Sequence, residues 1–300
     1  MDRLTLMQTF VAVAEEEGFA PAARRLGVSP PVVTRSIAAL EEHLGARLLE
    51  RTTRKVRVTE AGARYLGDCK RLLAEVEDVE AAVSGEHAKP RGMLGITASV
   101  MFGRLFVAQI LVDFLAKHPQ VTARALLVDQ VVDLMDEGLD VAVRIAKLSD
   151  STLTSAKVGT VRRVTCASPS YLKKHGTPRT PRELGEHRSF VFSAERSPPS
   201  WAFEHEGAAL SFRPRATLLV NSSEVGIDAA VAGAGITRAL SYMVAGHVRA
   251  GRLRVILEDY EADPIPIHVL YREGRRAPAR VRAFVDFAVA KLRADQALRF

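Results

Sequence analysis

The sequence predicts an α/β protein with an N-terminal winged helix-turn-helix, a long linker helix and a two-lobe α/β region behind them. Three observations support this division. Glycines separate short helical patterns in the first 45 residues, an uninterrupted helical pattern covers residues 59–84, and strand and helix patterns alternate from residue 94 onward. With 300 residues, of which 47% are hydrophobic, the chain is long enough for two or three folding units.

The first segment contains three helical patterns followed by a basic stretch. Leu6, Phe10 and Val13 recur at helical spacing, which predicts an amphipathic first helix. Gly27 and Gly45 are expected to end the second and third helices. The predicted helices cover residues 3–17, 20–26 and 29–44. Thr and Val residues in the stretch 51–58 favour a small β-hairpin.

The helical pattern at residues 59–84 carries an apolar seam with heptad spacing, formed by Tyr65, Cys69, Leu72, Val76, Val79 and Val83. Two interpretations remain open. The seam either packs against a second copy of the helix in a coiled-coil-like dimer, or it packs onto the helix's own domain. The dimer is the favoured hypothesis, because an exposed long helix needs a partner for its apolar face.

Residues 85–92 contain Lys89-Pro90-Arg91 and predict a linker. Beyond it, the alternation of elements predicts a mostly parallel sheet with helices on both faces. A second α/β unit is expected to begin near Arg163. Predicted strands lie at 94–98, 121–128, 141–145 and 265–271, and predicted helices at 102–117, 131–137, 223–233 and 277–292.

These patterns give three predicted domains. Residues 1–59 form the winged helix-turn-helix, residues 60–91 form the linker or dimerisation helix and hinge, and residues 92–300 form the two-lobe region. Lobe I comprises 92–162 and 266–300, lobe II comprises 163–265, and a cleft lies between them.

The helix-turn-helix stretch provides a surface suited to double-stranded DNA. Ser29 is expected to cap the third helix through its hydroxyl. Thr34 and Arg35 then face outward near the start of a helix that fits a major groove. The basic residues of the hairpin are expected to bind flanking phosphates or reach a minor groove; they are Arg51, Arg54 and Lys55. An ordinary three-helix bundle with a solvated basic face is the alternative interpretation.

The order of these residues resembles the N-terminus of the LysR-type transcriptional regulators. The resemblance covers nearly all of residues 3–66. Its residues are Phe10, Ala14, Gly18, Phe19, Ala22-Ala-Arg-Arg-Leu-Gly-Val-Ser29, Val33-Thr-Arg35, Leu40-Glu-Glu42, Leu44-Gly45, Leu48-Leu49, Arg51 and Thr59-Glu-Ala-Gly62. It implies sequence-specific binding to operator DNA and regulation of transcription.

One departure from the family pattern concerns the residue after Ser29. The family often has Gln there, whereas this chain has Pro30 followed by Pro31. Proline suits a first helical turn, but its side chain offers no hydrogen bond to a base. Both prolines stay among the predicted DNA-contacting residues, and base recognition is expected to shift toward Thr34, Arg35 and the wing.

The resemblance continues, less sharply, through Asp140-Val-Ala-Val-Arg144, Ser168-Pro-Ser-Tyr-Leu172, Ala232-Gly-Ala-Gly-Ile236 and Gly251-Arg-Leu253. It implies a periplasmic-binding-protein-like effector domain with a small-molecule effector between its lobes. Ligands of open α/β sheets sit beyond the carboxyl ends of strands. The candidate effector-binding residues there are Ser99, Val100, Met101, Phe102, Arg144 and Ser222. Helix capping is the alternative role for Ser99 and Ser222, packing in the core is the alternative for Met101 and Phe102, and a structural ion pair is the alternative for Arg144.

Composition narrows the remaining possibilities. The net charge is +7, but residues 1–59 carry only +2 of it, so charge alone is weak support for DNA binding. Two cysteines, Cys69 and Cys166, make a disulfide framework unexpected, which suggests a cytoplasmic protein. Neither a metal-ligand spacing nor a phosphate loop or nucleophile motif is evident, so no cofactor, no metal and no enzymatic activity are expected.

The expected partners are operator DNA, a small-molecule effector (an organic anion is one candidate), and further copies of the chain as a homodimer or homotetramer. RNA polymerase is a further candidate, and no membrane is expected. Two other classes remain as alternatives: a two-lobe enzyme with a helical attachment, and a nucleoid-type DNA binder without a ligand.

Overall fold

The computed structural model describes residues 2–51, 56–83, 89–148, 153–193, 200–272 and 277–299. The chain divides into two compact units, Met1–Lys89 and Pro90–Phe300.

The first unit begins with a bundle of three helices, α1 (Arg3–Glu15), α2 (Phe19–Leu26) and α3 (Pro30–Leu44). Gly27 and Gly45 end α2 and α3 in the left-handed backbone region, with φ of 66° and 63°, a conformation that glycine adopts at little cost. The buried side chains of the bundle include Phe10, Val33 and Ile37, all at 0% exposure. The three predicted helices are confirmed with shifts of one or two residues at their ends.

A short antiparallel hairpin follows, made of β1 (Leu49–Arg51) and β2 (Val56–Val58), and then the long helix α4 (Glu60–Val83). The first half of α4 packs onto the bundle: Cys69 is fully buried in the same core cluster as Phe10, and Tyr65 packs against it. The ring centroids of Phe10 and Tyr65 lie 5.7 Å apart. Packing on its own domain therefore accounts for Tyr65 and Cys69, the first two residues of the predicted seam, whereas Leu72 is exposed.

Lobe I of the second unit is built on a five-stranded sheet in the order β4-β3-β5-β14-β6. Its strands are β3 (Gly92–Ala98), β4 (Val121–Leu127), β5 (Val141–Ile145), β6 (Thr154–Val161) and β14 (Ile265–Tyr271). The helical elements of this lobe are α5 (Val100–Phe102), a π-helical turn (Gly103–Val107), α6 (Ala108–Lys117), α10 (Ala279–Ala294) and a 3₁₀ turn (Gln296–Leu298).

Lobe II is built on a second five-stranded sheet in the order β11-β8-β12-β7-β13, with a separate hairpin of β9 and β10. Its strands are β7 (Arg163–Ala167), β8 (Ser189–Phe192), β9 (Trp201–His205), β10 (Ala208–Phe212), β11 (Ala216–Val220), β12 (Ile236–Leu240) and β13 (Arg254–Ile256). Its helices are α7 (Pro169–His175), α8 (Ser223–Val231) and α9 (Ser241–Arg249), with 3₁₀ turns at Pro181–Glu186 and Glu258–Tyr260.

The carboxyl edges of the two sheets meet at Arg162. Strand β6 runs parallel to β3 and ends at Val161, while β7 begins at Arg163 and runs antiparallel to β12. One cluster of buried side chains includes residues of both lobes, among them Phe102 and Tyr242. Ligands of open α/β sheets bind beyond such edges, so the topology places the predicted cleft at this junction.

Two predictions about the second unit are wrong. No helix forms at residues 131–137; residues 134–138 make turns instead. There the Asp133 carboxylate accepts hydrogen bonds from the backbone N–H groups of Met135 and Asp136, a local arrangement that competes with helix formation. The sheets are also mixed rather than mostly parallel, because β14 is antiparallel to both of its neighbours and β7 is antiparallel to β12 and β13.

Candidate DNA interface and effector cleft

The tight crossing of α2 and α3 depends on small side chains. Ala22 and Ala23 are buried at 0% and 1% exposure, and Val33 and Ile37 at 0% hold α3 against the bundle. The opposite face of α3 is left toward solvent. This arrangement presents the first turns of α3 as a projecting edge, which is the geometry that major-groove recognition requires.

The start of α3 differs from the prediction at Ser29. Ser29 occupies the N-cap position with extended backbone angles, but its hydroxyl makes no capping hydrogen bond. Pro30 and Pro31 have no backbone N–H, so the first available donor is the N–H of Val32, which already donates to the Ser29 carbonyl at 2.9 Å. The backbone donors that a capping side chain would satisfy are therefore either missing or already used. The exposed Ser29 hydroxyl accepts a hydrogen bond from none of them.

Thr34 and Arg35 follow on the first turns of α3. The Thr34 hydroxyl donates to the Pro30 carbonyl at 3.1 Å, and the residue is half-buried. Arg35 is exposed, and no hydrogen bond or ion pair connects it to any described residue. Of the predicted base-contacting side chains that the structure describes, Arg35 is thus the one that is charged and exposed.

The hairpin behind α3 is anchored by two residues that the sequence prediction did not single out for this role. Glu41 of α3 accepts hydrogen bonds from the backbone N–H groups of Leu48 and Leu49, at 2.8 and 3.1 Å. The Thr59 hydroxyl donates to the Arg47 carbonyl at 2.8 Å and accepts from the Gly62 N–H at 2.9 Å. Both residues belong to the family strings, but no local pattern reveals these non-local contacts.

Gly62 is required by close backbone approach. A Cβ atom at this position would lie 2.1 Å from the Leu48 carbonyl oxygen and 2.7 Å from a methyl group of Val58. The first turn of α4 therefore rests directly on the hairpin. The predicted wing cations Arg54 and Lys55 lie outside the described residues, and Arg51 is described only as part of strand β1.

In lobe I, the predicted effector loop follows β3. Ser99 is at the N-cap of α5 without a side-chain capping bond, and Ser222 occupies the same position before α8, also without one. Both serines thus occupy the N-cap positions of the capping alternative, but neither hydroxyl makes the capping hydrogen bond. The Val100 N–H is not available for a ligand, because it donates to the Asp129 carboxylate at 3.1 Å.

A cluster of aromatic rings links the two lobes beside this loop. The ring of Tyr242 in lobe II meets Phe102 and Phe106 of lobe I edge-on, with centroids 5.4 and 5.7 Å apart. Phe102 is fully buried and belongs to the core. The Tyr242 hydroxyl is buried without a hydrogen-bond partner among the described residues. Burial raises its pKa, and the nearby Ser99 lowers it in part, although no bond of ordinary geometry joins the two hydroxyls.

A cavity of about 1020 Å³ opens next to the aromatic cluster and is lined from both lobes. Of the predicted effector residues, Met101 and Ser222 line it, whereas Ser99, Val100, Phe102 and Arg144 do not. Arg104 of lobe I and Glu224 of lobe II form an ion pair at its wall. Tyr242, Arg104 and Glu224 are lining residues that the sequence prediction missed, and they come from three separate helical elements with no shared local pattern.

Arg144 lies apart from this cavity. It is half-buried, donates from Nη1 to the Gln130 carbonyl at 3.2 Å, and its Nη2 has no partner among the described residues. Burial lowers the pKa of its guanidinium. Within the described ranges, no three His, Cys, Asp or Glu side chains are grouped as they would be around a metal ion.

Two family models match the chain in the same two regions. Residues 4–63 match the bacterial regulatory helix-turn-helix protein of the lysR family, and residues 87–293 match the LysR substrate-binding domain. The chain belongs to the LysR family of transcriptional regulators. It is therefore a DNA-binding transcription regulator with an effector-binding domain, as the sequence predicted.

Curated relatives of this LysR-type regulator include a repressor and an activator. This chain is 33% identical over 291 residues to an HTH-type transcriptional repressor of Pseudomonas aeruginosa, a match that covers 96% of this chain and 92% of the relative. It is 31% identical over 286 residues to the transcriptional activator AaeR of Escherichia coli, covering 95% and 93%.

Solved structures show the same fold. CrgA, a LysR-type regulator from Neisseria meningitidis, matches with a TM-score of 0.61 and 28% identity over 96% of this chain and 98% of that one. The full-length virulence activator AphB of Vibrio cholerae matches with a TM-score of 0.61 and 27% identity, over 96% and 99%. Among the described residues of this regulator, none of the helices combines the length and apolar character needed to cross a membrane.

Proposed function

We propose that this regulator reads its operator mainly through Arg35, with Thr34 beside it. The exposed prolines Pro30 and Pro31 and the Ser29 hydroxyl pack against the DNA at the start of α3. The observation that carries this proposal is the exposure of Arg35 and its lack of an internal partner at the projecting edge of α3. Arg51, Arg54 and Lys55 of the wing bind flanking phosphates.

The proposal is tested by selecting DNA fragments with the purified full chain, sequencing them, and footprinting the selected site. Arg35→Ala is expected to lose about 5- to 150-fold in operator affinity, because an arginine fork on a guanine contributes about 1–3 kcal/mol. Arg35→Lys is the charge-preserving control. It keeps binding to unrelated DNA but loses preference for the selected site. Wild-type affinity in Arg35→Ala would refute the role.

We also propose that the effector binds between the two lobes, in the cavity lined by Met101 and Ser222, with the loop 99–102 behind it. The buried Tyr242 hydroxyl without a partner supports this, since a buried polar group without a hydrogen bond costs free energy that a ligand atom would recover. A ligand held by both lobes favours one lobe arrangement, and coupling of about 1–3 kcal/mol is typical of such regulation.

The cavity assignment is tested with variants that fill it. Val225 lines the cavity, so Val225→Trp is expected to abolish the rise in melting temperature caused by small molecules found in a ligand screen. Val112, which is exposed and does not line the cavity, provides the control Val112→Trp. Ligands that stabilise Val225→Trp as well as wild type would contradict the assignment.

We extend the proposal to the oligomeric state of the protein and to its partners. A dimer formed through the far end of α4 would place two copies of α3 on half-sites related by a twofold axis, and contacts between effector domains would extend it to a tetramer. RNA polymerase is a candidate partner in the cytoplasm. We further propose domain limits of 1–59, 60–91 and 92–300, and that the protein has no enzymatic activity.

A further inference from the structure

Two arginines lie side by side on one face of the lobe II sheet. Strand β12 pairs with β7 so that Leu240 is opposite Arg163 and Arg238 is opposite Thr165. Arg163 and Arg238 are therefore diagonal neighbours on adjacent strands and point to the same face, about 7–8 Å apart at the backbone. Long side chains at that separation can reach a common point.

Arg238 is held in a fixed position beneath the β9–β10 hairpin. The residue is 8% exposed, and its guanidinium donates to the Ala202 carbonyl and lies 4.2 Å from the ring centroid of Phe203. Its Nε has no partner among the described residues. Burial, and in second place the charge of Arg163, lowers the pKa of Arg238 to about 10, although Glu261 acts in the opposite direction.

Arg163 is the more exposed member of the pair. Its side chain is exposed to solvent, and yet burial lowers the pKa of its guanidinium. Both properties hold together where protein atoms surround a group on several sides but water still reaches it. Arg163 is also the first residue of β7, next to the junction of the two sheets at Arg162.

The carboxylate whose charge acts on Arg238, that of Glu261, is paired through one of its oxygens with a third arginine. Arg162 lies 3.2 Å from Glu261 and 3.9 Å from Glu258. Among the described residues, neither Arg163 nor Arg238 has a carboxylate within ion-pair distance. Two guanidinium groups of like charge are thus kept together in partly dehydrated surroundings, an arrangement that an anion between them would stabilise.

We propose that Arg163 and Arg238 form an anion-binding site in lobe II that takes a carboxylate or a tetrahedral oxyanion from solution. The exposed Arg163 binds the anion directly, and the buried Arg238 adds its positive charge from beneath. Neither residue lines the cavity between the lobes, so the inference does not rest on the proposed location of the effector there. An anion at this site binds where the lobes join and biases their arrangement.

The test measures the melting temperature of the full chain with sodium sulfate, sodium phosphate or sodium benzoate, with ionic strength held constant by sodium chloride. At about ten times the dissociation constant, wild type is expected to gain about 3–6 °C from at least one of these anions. Arg163→Gln is expected to lose that gain. Arg213→Gln removes another exposed arginine of lobe II and is expected to keep it.

Without added anion, Arg163→Gln is expected to melt at or above the wild-type temperature, because the substitution removes repulsion of Arg238. A gain from benzoate alone would identify a carboxylate site, and a gain from sulfate or phosphate an oxyanion site. Equal gains in wild type and Arg163→Gln would show general salt stabilisation and overturn the proposal. So would the absence of any gain in wild type, or a loss shared by Arg213→Gln.

Discussion

At the start of α3, two consecutive prolines change what the neighbouring side chains do. Pro30 and Pro31 remove two of the backbone donors that a helix ordinarily leaves open at its N-terminus, and Val32 donates to the Ser29 carbonyl. The Ser29 hydroxyl is consequently not used for the stability of the helix. By contrast, the Ser168 hydroxyl at the start of α7 accepts a hydrogen bond from the Tyr171 N–H at 3.3 Å.

This contrast gives a prediction at the level of single residues. Ser29→Ala is expected to change the free energy of unfolding by less than about 0.3 kcal/mol, whereas Ser168→Ala is expected to cost about 1–2 kcal/mol, the usual effect of losing an N-cap. Denaturant unfolding of the full chain measures both. A large loss in Ser29→Ala would show that its hydroxyl caps α3 after all.

The exposed side chains of α3 could be assigned from sequence because they follow from one helix. Once Val33 and Ile37 are placed in the core, the outward position of Arg35 is fixed by helical geometry. Much of the cavity wall could not be assigned in this way. Arg104, Glu224 and Tyr242 come from chain segments more than 100 residues apart at the extremes, and their proximity depends on how the two sheets meet.

Among the elements, the contact between α4 and the hairpin is the most restrictive. Gly62 lets the first turn of α4 lie on the Leu48 carbonyl, and Glu41 and Thr59 fix the hairpin through hydrogen bonds. The sequence predicted the long helix and the hairpin correctly, since each has its own periodicity. It left open whether Tyr65 and Cys69 pack onto the helix bundle or against a second copy of α4, and it favoured the second copy, because one apolar seam fits either partner.

Gly62→Ala is expected to destabilise the first unit by about 2–3 kcal/mol, because the added Cβ overlaps backbone atoms that cannot move independently. Gly67→Ala is the matched control in the same helix. Gly67 is exposed and has no heavy atom within 4 Å of an added Cβ, so alanine there is expected to stabilise by about 0.5–1 kcal/mol. Similar effects of the two substitutions on thermal or denaturant unfolding would contradict this account.

The 131–137 segment shows where element prediction fails. Its apolar spacing suggested a helix, but Asp133 satisfies two backbone donors locally, and Leu134 is buried in a small cluster with Leu139 and Leu270. The sequence likewise did not show that β14 is antiparallel to its neighbours. A strand that is buried on both faces has the same composition in a parallel and in an antiparallel sheet. For β14, and for Leu134 through its packing with Leu270, the outcome depended on contacts outside the local window.

On the scale of the whole molecule, the two compact units have separate cores. The core cluster of the first unit contains buried residues between Leu6 and Cys69, and the clusters of the second unit begin at Leu94. The second unit joins its own two lobes through one shared cluster that includes Phe102 and Tyr242. Independent folding of each unit follows from this division.

A fragment of residues 90–300 is therefore expected to unfold cooperatively, at a melting temperature within a few degrees of the corresponding transition in the full chain. Calorimetry of the fragment and of the full chain provides the comparison. Failure of the fragment to fold, or a shift of its transition by tens of degrees, would show that the first unit is needed for the stability of the second.

The burial of Cys69 also has a consequence for exchanging parts between regulators of this kind. A hybrid protein joined at residue 59 would combine one helix bundle with a foreign α4. The inner side chains of that helix would have evolved to pack on a different bundle. Leu73 is the last described α4 residue that packs on the helix bundle. A junction placed beyond it would transfer the bundle together with the part of α4 that supports it. Operator choice could then be recombined with a new sensor without rebuilding the interior of either.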